Sequence, residues 1–456
     1  MKLVSALAIA AAMTLAPQTP AAAQDGIPGP EDDSYIWLEE ARSDKALDWV
    51  RAENERTMEL LAGDPRYDAV KAEALAIYDS EDRIPYVTIR PDGLYNFWQD
   101  KQNPRGLVRR TTLESYRSDN PQWETVLDVD ALAEAEGREW VYKGSTCLPP
   151  EDRLCMIALS DGGEDATVLR EFDMATKSFV KDGFLLDQKS QGGIEWVDAD
   201  TLLVSRDFGE GTLTESQYPR TSRIWKRGTP IEQAEEIWRG EEADVWSSAT
   251  LLRDHTGTAH GYYAFRATSF HETEYFWQHE GEWLRLDMPL KAAPYGLIDG
   301  QLLFSTDVAW EGGDQTFPAD ALVSVDLEAF KADPNGAAKT LVWAPQDKQT
   351  KQSAANTAES LYVSLLDNVR GRVLKFDHVD GEWVSSEVEL PDNCTLDVVA
   401  ASDGSDEIMY SVTDFLTPST LYYSDGSDAP EVIKTSPSNF DAAGMEVEQF
   451  EATSAD

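Results

Sequence analysis

Apolar side chains recur along this chain at two different periods. Early on they fall three and four residues apart. Ala46, Trp49, Val50, Met58 and Leu61 share one face of a helix that Ser43 or Asp44 caps, and Tyr67, Val70, Ala74 and Ile77 share one face of a second helix after Pro65. Helical spacing stops between Ser80 and Pro85, and everything after it reads as strand and turn.

The later apolar positions form short β-branched and aromatic runs. Leu202-Leu203-Val204 is followed by Arg223-Ile224-Trp225 and Ile237-Trp238, and Leu302-Leu303-Phe304 by Leu322-Val323-Ser324 and Leu341-Val342-Trp343. Leu361-Tyr362-Val363 precedes Val373-Leu374-Lys375. Ile408-Met409-Tyr410 precedes Leu421-Tyr422-Tyr423 and Val432-Ile433. Asp-Gly pairs beginning at Asp92, Asp161, Asp182, Asp299, Asp380, Asp403 and Asp425 punctuate the runs. Glycine accepts the positive φ of a tight hairpin turn, so these pairs predict antiparallel ribbons.

Groups of strands repeat at about 50 residues, the size of one four-stranded propeller blade. Roughly 350 residues at that period make about seven blades, whereas a sandwich needs only about 100. The expected fold is therefore all-β, a seven-bladed β-propeller preceded by a short α-helical arm. The expected division is a leader over residues 1–23, the arm over 24–82, the propeller over 83–440 and a tail over 441–456.

Composition adds a core and a sign. Of 456 residues, 41% are hydrophobic and 14 are Trp, enough to pack a large interior. The net charge is −45, from 84 acidic against 39 basic residues. Such a surface repels phosphates, so nucleic acid and anionic membranes are not expected partners. Lys2, the Ala-rich apolar stretch Leu3 to Leu15 and the small residues Ala21-Ala22-Ala23 read as a cleavable leader. The mature chain would begin near Gln24, placing the protein in the periplasm or outside the cell. No later apolar run approaches the ~20 residues needed to span a bilayer.

Candidate chemistry is sparse. Cys147 and Cys155 flank Pro149-Pro150 between two strand-like segments and read equally as a disulfide or as two buried thiols, with Cys394 left over. The Gly-x-Ser-x-Gly elbow of α/β hydrolases does not occur, and Ser145, Ser405 and Ser427 read as turn residues. His255, His260, His271 and His279 lack the spacing of a zinc-binding helix and read as surface or packing residues. Glu235-Glu236, Glu241-Glu242 and Asp198/Asp200 do not stand out from the general acidity. The expectation is no catalytic residue, no metal and no cofactor in this chain.

Several segments nonetheless resemble one family. Asp33-Ser34-Tyr35-Ile36-Trp37-Leu38-Glu39 is similar to the Asp-Pro-Tyr-x-Trp-Leu-Glu opening of the prolyl oligopeptidase family, with Ser34 where the family usually has Pro. Trp49-Val50 with Asn54 resembles the helix that follows. Arg105 to Leu113, Trp140 to Gly144, Tyr218-Pro219-Arg220, Trp225 to Pro230 and Phe415 to Ser419 resemble further family segments, in order. The resemblance implies a serine peptidase in which a seven-bladed propeller filters short peptides by size and covers an α/β-hydrolase domain. The family's Ser, Asp and His belong to a later segment. Glu451 to Asp456 resembles the strand that crosses into it, so none of the triad is carried over to this sequence and the chain alone is expected to be inactive.

By that resemblance Trp37, Leu38, Trp49, Val50, Met58 and Leu61 would pack on the hydrolase domain. The principal reading is thus the propeller portion of a peptidase acting on short proline-containing peptides, with the α/β-hydrolase domain as its partner. The alternative is a free-standing periplasmic propeller that binds peptides or proteins. An enzyme with its own site in the channel is the weakest reading, because no titratable cluster stands out.

Overall fold

The computed structural model describes residues 33–312, 315–427, 429–438 and 440–454. The leader expected over residues 1–23, with its cleavage after Ala23, lies outside the described residues, as do Ala455 and Asp456 of the tail. Two units make up the chain, Met1–Asp79 and Ser80–Asp456.

The first unit is helical. A single turn over Ile36–Glu39 precedes α1 (Asp44–Ala62) and α2 (Tyr67–Tyr78). Ser43 caps α1 by accepting a hydrogen bond from the Ala46 amide at 3.2 Å, and Asp44 sits in the first turn where the helix dipole favours an anion. Tyr35, Trp37 and Trp49 form an aromatic cluster, with Lys45 Nζ 4.2 Å from the Trp37 ring. Ala46 is the one buried residue among those described in this unit, while Leu60, Ile77 and Tyr78 are exposed.

Among the described residues of the second unit, seven antiparallel sheets of four or five strands follow one another in sequence, over residues 88–128, 140–190, 193–239, 246–285, 292–343, 349–387 and 395–435, and a two-stranded ribbon, Trp310–Gly312 with Gln315–Phe317, is inserted in the fifth. The seven sheets are blades 1 to 7. The first strands lie against one another between blades 2 and 3, 3 and 4, 4 and 5, 6 and 7, and 7 and 1, so they surround the axis. Each blade face is covered by a neighbouring blade. Hence Ser360–Asp367 buries six consecutive residues rather than alternating, and continuous runs such as Leu361-Tyr362-Val363 are used. One core cluster joins Ile298, Leu303 and Trp343 of blade 5 to Leu361, Val363 and Phe376 of blade 6. Asp299-Gly300 (φ 45° and 69°) and Asp380-Gly381 (φ 52° and 84°) close hairpins with both central residues left-handed, as a tight primed turn requires.

Blade 1 and blade 7 each use one contiguous piece of chain, so the ring closes without an exchanged strand. Side chains close it instead. Ile84, Val87, Ile89 and Tyr116 pack with Met409, Leu421 and Tyr423. The Tyr116 hydroxyl donates to the Pro85 carbonyl at 2.9 Å and Lys434 Nζ to the Ser118 carbonyl at 2.6 Å.

One expectation fails. The propeller is not strand and turn alone: short helices occupy Leu113–Arg117, Val129–Glu136 and Leu327–Ala332. Thr112, Asp128 and Asp326 cap them by accepting from the amide three residues on, and Val129 with Ala133 and Leu327 with Phe330 bury one face of the last two. Their brevity hid them, since two turns carry too few apolar repeats to show a period. Among the described residues no helix is long and apolar enough to cross a membrane.

Candidate functional site

Strand direction divides the ring into two faces. Each blade is an up-and-down meander, so its fourth strand ends on the face where its first begins. The chain therefore comes in before Thr88 and leaves after Thr435 on one face. The turns between first and second strands gather on the other, around the axial opening.

A cavity of about 480 Å³ occupies that opening. Thr88 and Ile89 of blade 1, Arg253 to His255 of blade 4, Asn356 of blade 6 and Asp403 of blade 7 contribute to its wall. Blade 2 contributes most intrusively. Its first two strands, Trp140–Cys147 and Leu154–Asp161, place Cys147 opposite Cys155, and the two are joined by a disulfide. The loop they enclose carries Pro149 and Pro150 against Gly257 in the first turn of blade 4: a Cβ on Gly257 would lie 3.1 Å from Pro150 N and 3.2 Å from Pro149 C. Gly257 also has φ +82°, so glycine meets both the close approach and the backbone conformation. The loop thus passes the turn of blade 3 and narrows the mouth.

The mouth is acidic. Burial pushes the Asp152 carboxyl up, with Arg90 opposing and Asp92 and Asp403 adding to the shift. Burial also pushes Asp403 up. For Asp254 burial acts upward too, but hydrogen bonds from Thr256, His260 and Thr258 outweigh it and hold the carboxyl below its usual range. Tyr295 is raised to about 12, mainly by burial. Arg253 donates to the Gly257 carbonyl at 2.6 Å and to the Val197 carbonyl at 2.8 Å, which ties blade 4 to blade 3. These groups favour a cationic or hydrogen-bond-donating guest over an anionic one.

The serines read as turn residues have ordinary partners. Ser145 accepts from Arg90 Nη2 at 2.9 Å, Ser405 donates to Glu407 Oε2 at 3.2 Å, and the Ser427 carbonyl accepts from Ser424 at 2.6 Å. His260 Nε2 sits 2.8 Å from Asp254 Oδ2, and His255 lines the mouth. His271 lies in a turn and His279 at a strand end, apart from that pair. Glu236 pairs with Arg239 and Arg223, Glu241 lies 3.9 Å from Arg266, and Asp200 pairs with Arg227 while its amide donates to Asp198. The Cys394 thiol is buried, and that burial raises it to about 11. No group of three or more His, Cys, Asp or Glu suited to a metal occurs among the described residues.

Sequence reasoning missed Asp152, Asp403 and the pair His378–Asp299, whose Nδ1 and Oδ2 are 2.8 Å apart in a neighbouring depression on the same face. Asp299 and Asp403 had been visible only as the acidic halves of hairpin turns.

A family model described as prolyl oligopeptidase, N-terminal beta-propeller domain, matches residues 17–436. A protein described as an uncharacterized peptidase, from Sinorhizobium fredii (strain NBRC 101917 / NGR234), is 40% identical over 431 residues, which is 93% of this chain and 59% of that protein. Another so described, from Rickettsia prowazekii (strain Madrid E), is 27% identical over 435 residues, 92% of this chain and 60% of that protein. The solved structure of a post-proline cleaving enzyme from Rickettsia typhi shares the fold, with a TM-score of 0.85 at 24% identity over 94% of this chain and 63% of that one. The chain spans about three fifths of the length of the curated relatives it matches.

Proposed function

The chain belongs to the prolyl oligopeptidase family through that family's N-terminal β-propeller domain, and on that premise we propose that it is the substrate-gating portion of a serine endopeptidase acting on short proline-containing peptides. Its partner in this reading is an α/β-hydrolase segment that carries the Ser, Asp and His. The observation that carries the proposal is the ordered family match along the whole ring in a chain that spans three fifths of its peptidase relatives. Fold alone would not suffice, because propellers host many functions. The exposed Leu60, Ile77 and Tyr78 of the helical unit add support, since burying each against a partner is worth about 1.5–3 kcal/mol. In this role the ring admits a thin, flexible peptide and excludes a folded protein. Export to the periplasm or beyond, with cleavage after Ala23, belongs to the same proposal.

The test mixes the purified chain with the separately expressed hydrolase segment of the Sinorhizobium relative and follows a proline-containing chromogenic peptide. Neither part alone should turn it over, and the mixture should. Turnover by the chain alone overturns the proposal. So does a stable complex of the two parts that remains inactive. N-terminal sequencing of the exported protein should begin at Gln24; retention of Met1 overturns the export reading.

A further inference from the structure

A second cavity, of about 220 Å³, lies beside the mouth between blades 4 and 5. Leu251, Leu252, Trp277, Leu286, Leu302 and Phe304 supply its apolar walls. The wall is stiff on one side: Trp277 lies so close over Gly261 that a Cβ there would be 2.4 Å from the indole, and its ring meets Phe330 edge-on at 5.2 Å. Arg253, Tyr295 and Gly296 line both this cavity and the mouth, so the two adjoin. Glu195, the acidic group in the wall, is held by the Leu251 amide at 2.9 Å and by the Thr250 hydroxyl.

Size and charge select the guest. An apolar cavity of about 150 Å³ is enough to hold benzene, whereas drug-sized ligands occupy about 300–1,000 Å³. The space therefore suits one aliphatic or aromatic side chain, not a cofactor. A fatty acid would bring its carboxylate to Glu195, Asp254 and Asp403 and be repelled, whereas an ammonium group would be attracted. Arg253 does not reverse this preference, because its one positive charge stands among the carboxyl groups of Glu195, Asp152, Asp254 and Asp403 in the walls of the two cavities.

We propose that this cavity binds the apolar side chain of a peptide's amino-terminal residue, with the peptide's α-ammonium left at the acidic mouth. The site would anchor one end of a peptide in the ring wall, away from any bond being cut. This inference rests on reading the channel as a passage for peptides.

The test is calorimetric titration of the full chain with Phe-Gly-Gly, N-acetyl-Phe-Gly-Gly and Gly-Gly-Gly. Phe-Gly-Gly should bind at least about tenfold more tightly than Gly-Gly-Gly, the factor expected from burying one large side chain. Acetylation should weaken it at least threefold. Leu302→Trp, which fills the cavity, should abolish the preference for Phe. If that variant is unfolded by circular dichroism, photo-crosslinking of the unmodified chain with benzoylphenylalanyl-Gly-Gly decides instead, and adducts should fall on Glu195, on Phe330 or within residues 251–304. Equal binding of Gly-Gly-Gly, no effect of acetylation, or adducts elsewhere overturns the inference. Turnover in the reconstitution mixture without Phe-Gly-Gly binding would overturn this site alone, and binding without turnover would overturn the peptidase reading alone.

Discussion

Glu171 of blade 2 accepts two hydrogen bonds from Arg227 of blade 3, from Nη1 at 2.7 Å and from Nη2 at 3.0 Å. It also accepts from the Phe184 amide at 2.6 Å and is almost wholly buried, while Arg227 stacks 4.4 Å from the Phe184 ring. Removing the guanidinium would strand a buried carboxylate. Arg227→Ala should therefore lower stability by about 3 kcal/mol in urea titration. Arg227→Lys should recover only part, because an ammonium cannot make the paired contact or the stack. A loss under about 1 kcal/mol for the alanine variant would show that the pair is not strengthening this blade junction.

The disulfide closes the loop between Cys147 and Cys155, eight residues apart in sequence. Loop-closure entropy assigns such a crosslink about 2.5 kcal/mol. The Cys147→Ser/Cys155→Ser double variant should lose that much, and dithiothreitol should have the same effect on the unmodified chain and none on the variant. Hydrogen exchange at the Asp152 amide, which donates to the Leu148 carbonyl at 3.0 Å, should accelerate. Unchanged exchange there would mean that other contacts hold the loop.

Burial raises Glu195, and with it Asp152 and Asp403, so each binds its proton more tightly folded than unfolded. Their contribution is full below the ordinary carboxylate range and is lost as pH rises through their raised values. Glu195→Gln should remove one such loss, so that stability falls less steeply as pH rises above the ordinary carboxylate range than in the unmodified chain. Asp173 has the opposite sign: its hydrogen bond from Arg153 holds it low, so its contribution disappears as pH falls through that lowered value. Asp173→Asn should flatten the acid limb. Parallel curves for either variant would contradict the assignment.

Tyr116, fully buried, sits at the junction of the first and last blades. Tyr116→Ala should cost about 3–5 kcal/mol, as large aromatic truncations do. It should also increase exchange in Thr88–Arg90 and Thr395–Ala401 before other first strands. Uniform loosening of all blades would argue against a local seam. Tyr116→Phe, which removes only the bond to Pro85, should cost about 1 kcal/mol by the same denaturation measurement.

The strands were legible in the sequence because a blade sandwiched on both faces needs uninterrupted apolar runs. Leu202-Leu203-Val204 and Leu361-Tyr362-Val363 are such runs, and Asp299-Gly300 marks its turn by chemistry alone. The short helices were not legible, since Asp128 and Asp326 are two carboxylates among 84 acidic residues and only their position makes them caps. The channel mouth was still less so. Asp152, Asp254 and Asp403 come from three blades and converge only when the ring forms. Arg227 shows the boundary: it could be noticed within the segment Trp225 to Pro230, but its partner Glu171 lies 56 residues away on another sheet.

The ring receives its chain beside Ile84 and releases it beyond Ile433, and both residues belong to one apolar cluster. A module whose two ends leave side by side can be spliced into a surface loop of a host as a cassette, with neither host strand order nor ring geometry disturbed. Joining the two ends by a short linker and opening the chain at a hairpin such as Glu280-Gly281 should give a circular permutant with the same seven blades.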